Sequence, residues 1–132
     1  LFADYFSQQQ QQVIPACVVL PTSPEDVSAA VKIIGQKECI FAVKSGGHAT
    51  VPGASNCPGC INLDLRYLNS LDVSEDLSTA FVGTSNRWGD VYNYLEHMNI
   101  TVIGGRGTQV GVGGFLLGGE KDLHFQPVSN AN

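Results

Sequence analysis

The sequence predicts an α+β fold in which a short β-α-β unit is followed by a second, mixed unit of strands and helix. Three observations point there. Two short apolar runs, Cys17 to Leu20 and Ile40 to Val43, flank a segment with a strong helix start. A probable hairpin is followed by a second helical stripe. Each of two glycine-rich stretches, at 46–59 and 104–119, follows a strand-like run.

Gln8 to Gln12 is a polar low-complexity run and reads as a mobile loop. Cys17 to Leu20 is a strand closed by Pro21. Ser23 then supplies an N-cap, Pro24 suits the first helical position, and Asp26 completes a capping box. Val27, Ala30, Val31 and Ile34 recur at helical spacing and predict one buried face, with Gly35 as the stop. Ile40 to Val43 is the second strand of the β-α-β unit, and Ile61 to Leu63 is a further strand. Leu71–Val73 and Ala80–Gly83 flank the turn Ser74-Glu75-Asp76-Leu77-Ser78. Arg87 to about Met98 is a helix whose stripe of Trp88, Val91, Tyr92 and Leu95 is packing. Thr101 to Ile103 reads as a strand. Residues 120–132 are a polar, aperiodic tail.

The totals exclude several classes. The chain has 132 residues, 43% of them apolar and 14% charged, which suits one domain or part of one with a real core. A net charge of −5 without a basic stripe argues against nucleic acid. No run approaches the ~20 apolar residues of a membrane span. The chain opens Leu1-Phe2-Ala3 with no signal peptide, as a processed chain or a fragment would. Four cysteines and the sequon Asn99-Ile100-Thr101 fit a secreted or secretory-pathway protein. Cys57-Pro58-Gly59-Cys60 could be a redox pair, half a metal site or a small disulfide; no second such pair supports zinc. Cys39 has Cys17 as one possible partner. His97 and His124 read as solvated surface residues, and Arg66 and Arg106 as exposed charges.

The chemistry concentrates at Ser45-Gly46-Gly47-His48. A strand ending in two glycines leaves backbone N–H groups open to an anion, at the strand end where α/β folds hold ligands. A tight turn with a structural histidine is the competing reading. Gly53, Ala54 and Ser55 extend the loop with a permissive glycine and a hydroxyl. The second set, Gly104 to Gly119, has glycines at 111, 113 and 114 that let a backbone pass close to a flat ring, with a glycine-rich apolar turn as the competing reading. One large ligand explains both sets.

These residues resemble the flavin-binding domain of the vanillyl-alcohol oxidase superfamily, and among its members the berberine-bridge-enzyme-like oxidases of fungi. The likeness runs from Pro15–Pro21 through Glu25-Asp26-Val27, Phe41–His48 and Asn62–Leu65 to Val110-Gly111-Val112-Gly113-Gly114. It implies a PCMH-type FAD-binding domain over residues 13–119, incomplete at its C-terminal side, between a polar segment 1–12 and a divergent tail 120–132. It also implies that Lys44, Ser45, Gly46, Gly47, His48, Ala49, Gly53 and Ser55 hold the pyrophosphate of FAD. Gly107, Val110, Gly111, Gly113, Gly114, Gly118 and Gly119 would lie along the isoalloxazine and phosphates. The histidine matching His48 often carries a covalent bond to the flavin 8α-methyl carbon in such families. Gly107 stands where doubly linked relatives have cysteine, so a second link is not available there. Glu120 follows Gly119 where relatives continue with glycine, and a carboxylate beside a pyrophosphate is repulsive.

The resemblance implies hydride transfer from a small-molecule substrate C–H to flavin N5, with oxygen as acceptor, in a full-length enzyme. The catalytic base and substrate pocket normally lie in parts absent from these 132 residues, so the chain alone is expected to be inactive. The alternative is a truncated, non-enzymatic remnant or interaction module.

Overall fold

The computed structural model describes residues 4–118. Two sheets organise them. The first has three parallel strands in the order β1-β3-β2: β1 Cys17–Val19, β2 Phe41–Lys44 and β3 Ile61–Asp64. The second is an antiparallel pair, β4 Leu71–Val73 with β5 Ala80–Val82. The β-α-β unit is present, but β3 enters between its strands, pairing Val18 and Ala42 on either side of Asn62.

Helix α2 spans Pro24–Gln36 and begins as its sequence requires. The Ser23 side chain accepts from the Asp26 amide, and the Asp26 carboxylate accepts from the Thr22 and Ser23 amides. Those hydrogen bonds hold the Asp26 carboxyl below the ordinary carboxylate value. Gly35 does not stop the helix; it lies in the last turn, and Glu38 takes the left-handed conformation two residues beyond Gln36. Of the predicted buried face only Ile34 is buried, while Val31 is 40% exposed. The β4–β5 turn forms as expected, with Asp76 accepting from Ser74 and Ser78, which pulls its carboxyl down to about 2.

Helix α3, Trp88–Glu96, carries a hydrophobic core. Trp88, Val91 and Leu95 are buried with Val112, and Leu71, Val73, Ala80 and Val82 of the hairpin pack against them. The glycine pair after it is a packing device. A Cβ on Gly104 would lie 2.1 Å from the Trp88 ring and one on Gly105 2.6 Å from it.

Three further readings fail, each because partners outside the stretch decide. Gln8–Gln11 is a helical turn, α1, not a loop: Gln10 is fully buried, with its side-chain amide on the Val51 carbonyl and its own carbonyl on Asn56. Thr101–Ile103 forms no strand; Val102 packs on the Trp88 core, but no described strand offers it a ladder. Val112–Gly118, which reads as a glycine-rich turn, is a helix, α4, pinned by buried Val112 and by Phe115 edge-on to Trp88. Cys57 and Cys60 form a disulfide, one of the readings their spacing left open, whereas Cys17 and Cys39 are both free and exposed and do not pair. The tail 120–132, with Glu120 and His124, lies outside the described residues.

Candidate functional site

Both glycine stretches meet at one place. The loop after β2 and the turn into α4 touch through bare backbone: a Cβ on Gly46 would lie 2.5 Å from the Gly111 Cα, and one on Gly111 2.5 Å from the Gly46 nitrogen. No side chain fits between these strands of chain. Polar contacts lock the junction. Ser45 Oγ donates to the Thr84 carbonyl, which also accepts from the Gly113 amide at 3.1 Å. The Asn86 carbonyl accepts from the Val112 amide at 2.9 Å.

The junction floors a cleft of about 400 Å³. Ser45, Gly46, Gly47, His48, Ala49, Ser55, Val110, Gly111, Gly113 and Gly114 all line it, as expected from the sequence. Ala54, Phe115 and Leu117, which lie within the two expected stretches, complete the walls with Val43, Leu65 and Thr84, which were not foreseen. Leu65 ends the Asn62-Leu63-Asp64-Leu65 stretch, and Val43 ends the strand-like run before the glycine loop, so both had a signal. Thr84 had none; it arrives from the hairpin through its carbonyl contacts. Among the described residues the lining holds no Asp, Glu, Lys or Arg.

Four expected members stand elsewhere. Lys44 does not face the cleft. The parallel register sets it beside Asp64, and it is 1% exposed, 3.6 Å from Asp64 and 3.4 Å from Asp4. Gly53 makes a left-handed turn at φ 89° away from the lining, and Gly107 closes the turn that accepts from the Val110 amide. Gly118 ends α4, exposed. Gly119 lies outside the described residues. Arg66, expected as an exposed charge, pairs with Asp64, and that hydrogen bond raises its pKa further. Arg106 and His97 are exposed as expected.

The N-terminal segment, set outside the domain by sequence, packs on this loop. The Phe6 amide donates to the Gly47 carbonyl at 3.0 Å, and Gly47 sits at φ 66° against Asp4 and Tyr5. Tyr5 is buried, which pushes its phenol above the ordinary value; its hydroxyl donates to the Ser55 carbonyl and accepts from Asn62. Asp4 pairs with Lys44 and with Arg87 of the α3 N-cap. Partial burial opposes ionisation of Asp4, but the Arg87 hydrogen bond and the charges of Lys44 and Arg87 outweigh it and hold the carboxyl below 3.8.

A carboxylate depressed in the folded state contributes stability that is complete above its unfolded value and disappears as pH falls through its folded value. The tether of residues 4–6 should therefore persist at pH 4 and weaken only below 3.8. The checks are the carbon chemical shift of the Asp4 carboxyl and the exchange protection of the Phe6 amide. The two are expected to change together below 3.8, and Asp4→Asn is expected to abolish the step. A midpoint at or above 3.8 counts against the tether.

A strand-end cleft walled by glycine backbone, hydroxyls and aliphatic side chains, without acidic groups, is a site for a flat, anionic dinucleotide. Residues 15–121 match the FAD binding domain family, and the chain belongs to it; its architecture is that of a PCMH-type FAD-binding domain. Among curated proteins it is 47% identical to the FAD-dependent monooxygenase tpcD of Cochliobolus heterostrophus, over 87% of this chain and 22% of the relative. It is 43% identical to the FAD-dependent monooxygenase sdcF of Emericella nidulans, over 91% of this chain and 26% of that protein. The chain thus spans about a quarter of the length of these relatives. Among solved structures it superposes on glucooligosaccharide oxidase from Acremonium strictum with a TM-score of 0.71 and 27% identity, covering 86% of this chain and 24% of that one.

The cleft fits FAD on its own chemistry. Ser55 is 8% exposed, and its hydroxyl is buried with no hydrogen-bond partner among the described residues, although Ser55 lines the cleft. Buried hydroxyls are rarely left unpaired; a polar ligand atom would satisfy this one. Gly114 has nothing within 4 Å of a built Cβ, which leaves its backbone open to a flat ring.

Proposed function

We propose that this chain is the part of a flavin-dependent oxidoreductase that holds FAD and bonds it covalently through His48. The observation that carries the reading is the state of that side chain. His48 is half-buried and lines the cleft beside the glycine loop, and no described side chain or backbone group hydrogen-bonds to its imidazole. A neutral imidazole nitrogen is a competent nucleophile. His48 would bond the flavin 8α-methyl carbon as the methyl loses a proton. The imidazole would give up its N–H proton as well, and the two electrons left on the flavin would be removed by dioxygen, released as hydrogen peroxide. The Acremonium strictum oxidase is described as carrying a 6-S-cysteinyl, 8α-N1-histidyl FAD, which supports the histidyl bond. The sulfur bond has no counterpart at Gly107.

In the whole protein the bound FAD supplies the hydride acceptor, taking hydride from a small-molecule C–H at N5, with oxygen as terminal acceptor. The residues of this chain bind and orient it: the Gly46–Gly111 junction forms the floor, Ser55 offers a hydroxyl, and Val43, Leu65, Phe115 and Leu117 keep the walls apolar. A secretory location fits the Cys57–Cys60 disulfide and an exposed Asn99 sequon in left-handed backbone at the end of α3.

Acid precipitation tests the bond. Yellow colour should remain with the precipitated protein, and His48→Ala should release all of it while still taking up FAD. A variant that keeps acid-stable flavin would sink the assignment.

A further inference from the structure

What holds the imidazole of His48 in place is not in its own loop. Its ring is stacked on Phe6, centroid to centroid at 4.1 Å and 20° from parallel. Among the described residues no other ring touches it, and no hydrogen bond or ion pair reaches it. Phe6 is itself 63% exposed, an unusual position for a phenylalanine with so little other cover. Its backbone, by contrast, is tied on both sides. The Phe6 amide is bonded to Gly47, Tyr5 is buried under the Ser55–Asn62 contacts, and Asp4 bridges Lys44 and Arg87. After it, Ser7 Oγ donates to the Thr50 carbonyl, and Gln11 Nε2 to the Tyr5 carbonyl at 2.8 Å. A segment anchored this firmly presents one ring to one imidazole.

We propose that Phe6 is the positioning residue for His48. Its ring covers one face of the imidazole, removes the rotamers that would swing it out of the cleft, and leaves the other face and the ring edge uncovered by any other ring among the described residues. This rests on the His48 assignment above for its consequence, but the stacking can be read without flavin. The side chain is confined before the reaction, so less orientational freedom is lost at the bond-forming step. Asp4, Lys44 and Arg87 act one step further back by fixing the segment that carries Phe6.

The experiment compares Phe6→Leu and Phe6→Tyr with the unaltered full chain. Leucine keeps the backbone hydrogen bond to the Gly47 carbonyl and an apolar side chain, but removes the ring; tyrosine restores it. In the apo protein, the carbon-bound ring protons of His48 should lie upfield under the Phe6 ring current. That shift should vanish in Phe6→Leu and persist in Phe6→Tyr. With FAD added at saturation, acid-stable flavin should accumulate on the order of ten- to a hundredfold more slowly in Phe6→Leu. The total FAD bound should be unchanged, and Phe6→Tyr should recover the rate. An unshifted His48 in the unaltered chain, or full-rate attachment in Phe6→Leu, overturns the proposal. Flavin that is wholly acid-labile in the unaltered chain removes the covalent assignment instead, and the ring-shift comparison then decides the positioning by itself.

Discussion

Gly111→Ala is expected to destabilise the protein by about 3 kcal/mol and to weaken FAD binding by about a hundredfold. The new methyl group would lie 2.5 Å from the Gly46 nitrogen and 2.6 Å from its Cα, with Ser45 Oγ at 3.2 Å. Those first two atoms are backbone, so no rotamer change relieves the overlap. The Gly46 side of the contact cannot retreat freely either. Its neighbour Gly47 is held at φ 66°, with Asp4, Lys44 and Tyr5 behind it. The remaining escape is for the two loops to part, which opens the cleft floor. FAD would have to close it again, and about 3 kcal/mol corresponds to roughly a hundredfold in affinity. Thermal unfolding and FAD titration read the two effects. Gly35→Ala is the control of opposite sign. Nothing lies within 4 Å of a Cβ there, and Gly35 is inside α2. Alanine should add stability, by up to about 1 kcal/mol, and leave FAD binding alone. Equal behaviour of the two variants would mean that the contact between the loops does not shape the cleft.

What could be read in the sequence was what is decided locally. Ser23, Pro24 and Asp26 start α2 within one turn, and Ser74 and Asp76 close the hairpin, so both features were visible without any fold. The two glycine loops were legible as a pair because each follows a strand-like run, and ten of the fifteen expected cofactor residues do line one cleft. What was missed depends on partners far along the chain. The helix Val112–Gly118 contains three glycines, each unfavourable in a helix by about 1 kcal/mol. Burial of Val112 and the Phe115–Trp88 contact hold it, and neither shows in its own composition. The glutamine run is ordered by Asn56 and Val51, more than forty residues away from Gln10. The resemblance put Lys44 among the pyrophosphate residues. Alternation along β2 sends it to the other face of the sheet, where register sets it beside Asp64.

That misplaced lysine carries the second large effect. Asp64→Asn is expected to cost about 3 kcal/mol, whereas Lys44→Met should cost about 1 kcal/mol, because removing one half of a buried pair strands the other charge. Lys44 is 1% exposed; without Asp64 its only remaining anion among the described residues is Asp4, whose side chain is 56% exposed and shared with Arg87. Water screens that contact, so little of the lost stabilisation returns. The reverse substitution leaves less behind. Asp64 keeps Arg66, through both the guanidinium and the Arg66 amide at 3.2 Å, and Asp4 keeps Arg87. Methionine also matches most of the length of the lysine stem, whose Cε lies near Gly47. Combined in one chain, the two substitutions should be less damaging than Asp64→Asn alone, since no stranded cation remains. Urea unfolding of the two single variants and the double variant gives the coupling directly. Additive costs, or a larger cost for Lys44→Met, would show that Lys44 contributes through something other than its pairing with Asp64. FAD affinity separates the two roles considered for this residue. A lysine that supports the loop from beneath should change FAD binding only as far as the loop itself loosens. Lys44→Met should therefore retain FAD far better than Gly111→Ala does.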